Sequence, residues 1–132
     1  MQHPNIERVH AIYAAYMSGD RARVADAFAP DVRWHNSGYD ENAGTLVGVE
    51  AVLGYLMGEN HLDDYGLEVV DMLASDERVA VIARASGRRG TQRIVNDYVQ
   101  VVRIVEDRVS EVWNYNWDQR GLAEVMPAAA AA

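Results

Sequence analysis

Cysteine is absent from this 132-residue chain, and so is lysine: all 12 basic residues are arginine. Without cysteine there is no disulfide framework, no thiolate nucleophile and no cysteine metal site. Without lysine there is no Schiff-base chemistry and no attachment point for pyridoxal phosphate. Positive charge is scarce in total. The net charge is −8 and no arginine cluster is interleaved with aromatics, so a phosphate backbone is repelled and no nucleic-acid partner is expected. No apolar run approaches membrane-spanning length, and MQHPNIERVH lacks the charged-then-apolar layout of a secretory signal. The expectation is a cytoplasmic chain without a membrane partner. Metal-ligand spacing is missing as well: His61 stands beside Asp63 and Asp64, but His3, His10 and His35 fall on unrelated segments. Nor is there a glycine motif that cradles phosphate or a dinucleotide. Neither a metal nor a cofactor is expected.

What is present is enough apolar sequence to bury a core, organised around residues 93–118, RIVNDYVQVVRIVEDRVSEVWNYNWD. Apolar and polar residues alternate along Ile94–Ile104 and along Val109–Trp117, with a polar break at Glu106-Asp107. This spacing predicts a long antiparallel hairpin. One face carries Ile94, Asn96, Tyr98, Gln100, Val102 and Ile104, continued by Val112, Asn114 and Asn116. The other carries Val95, Asp97, Val99, Val101 and Arg103 with Trp113, Tyr115 and Trp117. Amides thus lie on one side and large aromatics on the other.

The rest of the chain reads in order. His3-Pro4-Asn5 starts a helix with Ile6, Val9, Ile12, Tyr13 and Tyr16 on one stripe, ended by Ser18-Gly19. Asp20 caps a short second helix that Pro30-Asp31 stops. A short strand over 32–36 follows, then a loop from Ser37 to Gly48 rich in Gly, Asn and Asp. A third helix buries Val49, Val52, Leu53, Leu56 and Met57. Strands are predicted over 67–74, 78–86, 93–105 and 108–118, with turns at 75–77, 87–90 and 106–107. Residues 121–126 add a helical turn, and Pro127 with its five alanines makes a tail. Helices followed by sequential strands give an α+β layout in a single domain, 1–126, with the tail at 127–132.

Taken together, FAPDVRWHNSG, GVEAVLGYL, LASDERVAVIARASG and EDRVSEVWNYNWDQ resemble the SnoaL-like branch of the NTF2-like superfamily. The resemblance covers nearly the whole chain. It implies a cone, in which three N-terminal helices pack on a curved antiparallel sheet and enclose a pocket. Relatives include polyketide cyclases, ketosteroid isomerases, limonene-type epoxide hydrolases and non-enzymatic adaptors, so fold alone does not select a function.

The resemblance places the pocket on the Asn96/Tyr98/Gln100 face of the hairpin. Asn114 and Asn116 point in from the last strand, Trp34 and Asn36 from the first, and Arg84 and Ser86 from the strand over 78–86. Tyr16, Tyr55 and Met57 close the top from the helices. The cyclases use an Asp on the last strand and a His on the preceding one, at positions that match Asn114 and Gln100 here. An amide accepts no proton at useful pH, so that pair is lost. The isomerase tyrosine and two aspartates match Ile12, Asn36 and Gln100. Of the epoxide hydrolase set, Arg84 and Asn36 survive, while its acids match Ser86 and Asn114 and its tyrosine Trp34. The chemistry left is orientation and oxyanion stabilisation by Asn36, Gln100, Asn114 and Arg84, with His35 as the candidate proton shuttle although its parity opposes Trp34 and Asn36.

The leading expectation is a cofactor-independent enzyme that cyclises, isomerises or hydrates a small, largely apolar, oxygenated molecule of polyketide or terpenoid type. The alternative is a small-molecule-binding or structural dimer that has lost its catalytic acids. Val79, Val81 and Ala83 are expected to join Val99, Val101, Trp113, Tyr115 and Trp117 in an outer apolar face. Burial of that face between two copies predicts a homodimer.

Overall fold

In the computed structural model, which describes residues 2–58 and 62–128, four helices pack on one six-stranded sheet. His61 and the last four alanines lie outside the described residues. Helix α1 spans Pro4–Met17; the His3 ring accepts a hydrogen bond from the Asn5 amide and Pro4 sits where no intrahelical donor is needed. Helix α2 spans Arg21–Ala27, capped by Asp20 accepting from the Arg23 amide. Strand β1 spans Phe28–Asn36, β2 Gly44–Val47, and helix α3 Val49–Met57. Strands β3 (Asp63–Ala74), β4 (Arg78–Arg89), β5 (Gln92–Val105) and β6 (Arg108–Asn116) follow, and helix α4 covers Gln119–Val125.

The α+β cone is as expected, with two additions. The segment read as a loop contains β2, which pairs antiparallel with the end of β1. The C-terminal turn is a capped helix, with Asp118 accepting from the Gly121 amide at 2.9 Å. The first strand begins at Phe28, ahead of Pro30. That proline falls where the β1–β6 register shifts, between Phe28 and Arg33, so its missing N–H interrupts no regular ladder. The sheet order is β2-β1-β6-β5-β4-β3, and β1 runs parallel to β6 while every other pair is antiparallel. The sheet is therefore mixed rather than wholly antiparallel.

Further irregularities between Val69 and Asp71 and between Arg103 and Ile104 bend the sheet, which is curved and unclosed. Its concave side takes α1, α2 and α3, burying Val9, Val24, Val32, Val52, Leu53, Val79, Val81, Val109 and Val112 almost completely. A smaller cluster of Ile94, Leu122, Val125 and Met126 seats α4 on the end of β5.

The hairpin faces predicted for β5 and β6 are those observed. The face of β4 is the reverse of the expectation. Val79, Val81 and Ala83 are buried on the concave side, whereas Arg84 is exposed. Pairing fixes this: Val81 stands opposite Gln100 and Arg84 opposite Asp97, so each shares its partner's face. Val79, Val81 and Ala83 are removed from the outer apolar surface, and Ile82 takes a place there.

Candidate functional site

Between the helices and the concave sheet lies a cavity of about 510 Å³. Eight of the twelve residues singled out from the sequence line it: Tyr16, Trp34, Asn36, Tyr55, Tyr98, Gln100, Asn114 and Asn116. The other four do not. Arg84 lies on the convex face, its Nε donating to Asp97 Oδ1 at 2.7 Å, and that carboxylate holds the guanidinium further above its usual range. Ser86 shares the Arg84 face of β4 and stands opposite Gly66. Met57, at the end of α3, packs partly buried against the apolar core. His35 also sits on the outer side, because its alternation opposes Trp34 and Asn36. Its ring stacks on Trp113 with centroids 5.8 Å apart, and its nitrogens meet Thr45 Oγ1 at 2.8 Å and Glu111 Oε2 at 2.5 Å. Three partners of that kind give His35 a complete role outside the cavity.

Asn36, Asn114 and Gln100 occupy one rung of the sheet, directly opposite each other across β1, β6 and β5. Their side chains form a directed chain. The Tyr13 hydroxyl donates to Gln100 Oε1 at 2.9 Å, Gln100 Nε2 to Asn114 Oδ1 at 2.9 Å, and Asn114 Nδ2 to Asn36 Oδ1 at 2.9 Å. Trp34 Nε1 donates to the same Asn36 oxygen at 2.9 Å, and Asn36 Nδ2 reaches the Asn42 carbonyl at 3.0 Å. Every amide oxygen on the rung is thus already accepting. Each primary amide carries two N–H bonds and each oxygen two lone pairs, so all three amides keep one spare N–H, while Gln100 Oε1 and Asn114 Oδ1 each keep one acceptor site. A second pair, Asn96 Nδ2 to Asn116 Oδ1 at 2.9 Å, lies further along the same face of β5 and β6.

Phenols make up much of the remaining wall. Burial pushes the Tyr13 and Tyr55 hydroxyls up to about 12, and raises those of Tyr65 and Tyr98 further. All four stay protonated and neutral at physiological pH. Among the described residues that line the cavity there is no arginine or histidine. Its two acidic side chains, Asp40 and Glu41, come from the loop between β1 and β2. Glu41 is bound by Arg89 of β4 at 2.8 Å. Asp40 is buried and its carboxyl is raised above the ordinary range, chiefly because burial disfavours its charge.

Tyr13, Tyr65 and Asp40 are site residues that the sequence reading did not assign. Tyr13 had a signal, since it shares the buried stripe of α1 with Tyr16. Asp40 had none, because an acidic residue in a Gly/Asn/Asp-rich loop looks solvated until β2 and the C-terminal segment fold over it. No group of three or more His, Asp or Glu side chains able to hold a metal occurs among the described residues. No helix among them is long and apolar enough to cross a membrane.

A curved, open sheet capped by helices around a cavity lined by apolar side chains, amides and phenols is the architecture of an NTF2-like protein. The profile of the SnoaL-like domain matches residues 9–112, and the chain belongs to that family, which includes polyketide cyclases and isomerases. Among solved structures it is similar to Bal32a from a soil-derived mobile gene cassette, at 26% identity over 92% of this chain and 95% of that one, with a TM-score of 0.85. It is also similar to an NTF2-like protein of Burkholderia xenovorans, at 24% identity over 92% and 95%, with a TM-score of 0.80. A third, TerC co-crystallised with polyporic acid, shares the fold at 20% identity over 93% and 98%, with a TM-score of 0.79. A comparison with curated proteins returns no match.

Proposed function

We propose that this protein binds a small, largely apolar molecule bearing oxygen functions inside the cone, and that binding needs no cofactor. The observation that supports this most directly is the amide rung. It lines an open cavity, each of its oxygens already accepts a hydrogen bond, and each of its amides keeps a spare N–H for a carbonyl or hydroxyl oxygen of a ligand. Apolar side chains around it, among them Ile12, Leu46, Leu56 and Leu67, suit a hydrocarbon body.

Titration with a bicyclic ketone such as decalone, followed through the side-chain amide signals, tests the reading. Signals of Asn36, Gln100 and Asn114 should shift together. Shifts confined to the indole signals of Trp113 and Trp117, on the convex face, would overturn it.

Turnover of such a ligand by cyclisation, isomerisation or hydration is the second reading. Its support is the polarity of the Tyr13–Gln100–Asn114–Asn36 chain, which concentrates donors where a developing oxyanion would sit. His35 and Arg84 have no part in it. The roles proposed here for Asn36, Gln100 and Asn114 are polarisation and orientation, with Trp34, Tyr16, Tyr55, Tyr98 and Asn116 shaping the pocket. A product from a bound ketone, detected by mass spectrometry and absent with Gln100→Leu, supports turnover. A ligand recovered unchanged leaves binding alone.

We further propose that two copies pair through the convex face. Val95, Val99, Ile82, Tyr115 and Trp117 are all exposed on that side in the isolated chain, an extent of apolar surface that soluble monomers seldom leave in water.

A further inference from the structure

Asp40 is the one carboxylate of the cavity wall without an ionic partner among the described residues. The residue is only 6% exposed. One oxygen, Oδ2, accepts from the Asn42 amide at 3.2 Å, and the other has no hydrogen-bond partner from another residue among those described. The residue is also fixed in place. Its backbone bridges to Pro127, its carbonyl accepts from the Ala43 amide at 3.1 Å, and the next amide, of Glu41, donates to the Met126 carbonyl at 2.8 Å. The carboxylate has therefore already lost most of its water, and the loop holds it in position. The charges acting on it are of the wrong sign to compensate: Glu41 repels it, and no cation contributes.

A buried carboxylate in this condition is stabilised by whatever cation can reach it, and here reach is through the cavity. We propose that the ligand of this cone carries an ammonium group that pairs with Asp40, so that the site takes an apolar-bodied amine with its oxygen functions on the amide rung. This rests on the reading of the cavity as a small-molecule site and names the class of molecule. The desolvation cost of the carboxylate is met in folding, so a charged amine gains a charge-assisted hydrogen bond against a pre-organised acceptor. Tyr55 shares the compartment, since the Asp40 charge contributes to holding its phenol protonated, and it offers an aromatic neighbour to an alkylammonium. The chain's net charge of −8 favours the approach of cations. An inorganic divalent ion is a poorer match, because no group of three or more acids or histidines gathers there among the described residues, and Glu41 is already engaged by Arg89.

The test compares two probes of nearly equal shape, naphthylethylamine and naphthylethanol, by calorimetric titration of the whole chain. The wild type should bind the amine about tenfold or more tighter than the alcohol, the margin of one charge-assisted hydrogen bond. Asp40→Asn keeps an acceptor for the Asn42 amide, and it should bring the two affinities together by weakening the amine far more than the alcohol. Equal affinities in the wild type, or a preference for the amine that survives Asp40→Asn, overturn the ammonium site and leave the cavity reading standing. Failure of both probes to bind overturns the cavity reading, and this inference with it.

Should Asp40→Asn not fold, the wild type titrated in acid decides. The titratable groups coupled to the Asp40 charge are Glu41, held by Arg89, and Tyr55, which stays neutral there. The amine preference must fade as the carboxyl protonates; a preference independent of pH overturns the proposal.

Discussion

Gln100 Nε2 donates to Asn114 Oδ1 at 2.9 Å in the buried centre of the sheet, and the two residues are direct cross-strand partners in β5 and β6. At the two positions where the resemblance to polyketide cyclases implies an acid and a base, two amides instead satisfy one another. Removing one leaves a buried polar atom of the other without its partner, at a cost of about 1–3 kcal/mol. Gln100→Leu and Asn114→Leu should each lower the urea midpoint by that measure. The double variant should lose less than the sum, because it leaves no orphan of the pair. Strict additivity would show that the two side chains do not interact as described.

The Asp40 carboxyl sits above its ordinary value of 3.8, so the native state holds that proton more tightly than the unfolded chain does. Stability therefore falls as pH rises between 3.8 and the raised native value, and the penalty is complete above the latter and absent below the former. Asp40→Asn removes it. The variant should be more stable than wild type at neutral pH and should lose that advantage in acid, as read from urea midpoints across the range. A neutral-pH midpoint at or below wild type contradicts the burial penalty.

Much of this fold was legible in the sequence: alternation along Ile94–Ile104 and Val109–Trp117 sorts the hairpin into two faces, and the resemblance to the SnoaL-like family turns one of them toward the pocket. Asn96, Gln100 and Asn114 then follow into the cavity by parity. Strand β4 was not legible in the same way. In RVAVIARAS every second residue is apolar on one face, yet Ala80 and Ile82 make the other face nearly as apolar, so periodicity alone does not orient it. Pairing with β5 does, and it sends Arg84 to Asp97. Strand β2 was hidden because four residues, GTLV, in a glycine-rich stretch carry little local signal, and their strand character comes from pairing with β1. Asp40 depends on that same pairing.

His35 and Arg84 make their contacts outside the cone, with Glu111 and Thr45 in one case and Asp97 in the other. Alanine at either position should leave the affinity for a cavity ligand within about twofold, since neither interaction reaches the cavity wall. Calorimetric titration with naphthylethanol measures this directly. A large loss for His35→Ala would return that ring to the site.

Trp117 is 87% exposed and Tyr115 54% exposed, on the face where Val99 and Val95 also meet solvent. Pairing of two such faces predicts a dimer in sedimentation at micromolar concentration. Val99→Glu places a charge among these apolar side chains without touching the concave core, and should yield a folded monomer. A wild type that sediments only as monomer removes the dimer proposal.

The turn between β5 and β6 offers a gain in stability. Glu106 and Asp107 are its two central residues, flanked by the Val105–Arg108 pair, and both adopt positive φ, at 50° and 65°. A two-residue hairpin of this form requires left-handed backbone twice, which Asn-Gly adopts most readily and which costs an ordinary side chain about 1–2 kcal/mol per residue. Asp107 does contact Arg8 at 2.8 Å, but both side chains are substantially exposed and such a pair contributes little. The relief of strain should therefore win. Glu106→Asn combined with Asp107→Gly should raise the urea midpoint by an amount equivalent to about 1 kcal/mol, with the m-value unchanged. A lowered midpoint would mean that the Arg8 contact, which ties α1 to the hairpin, outweighs the backbone strain at this turn.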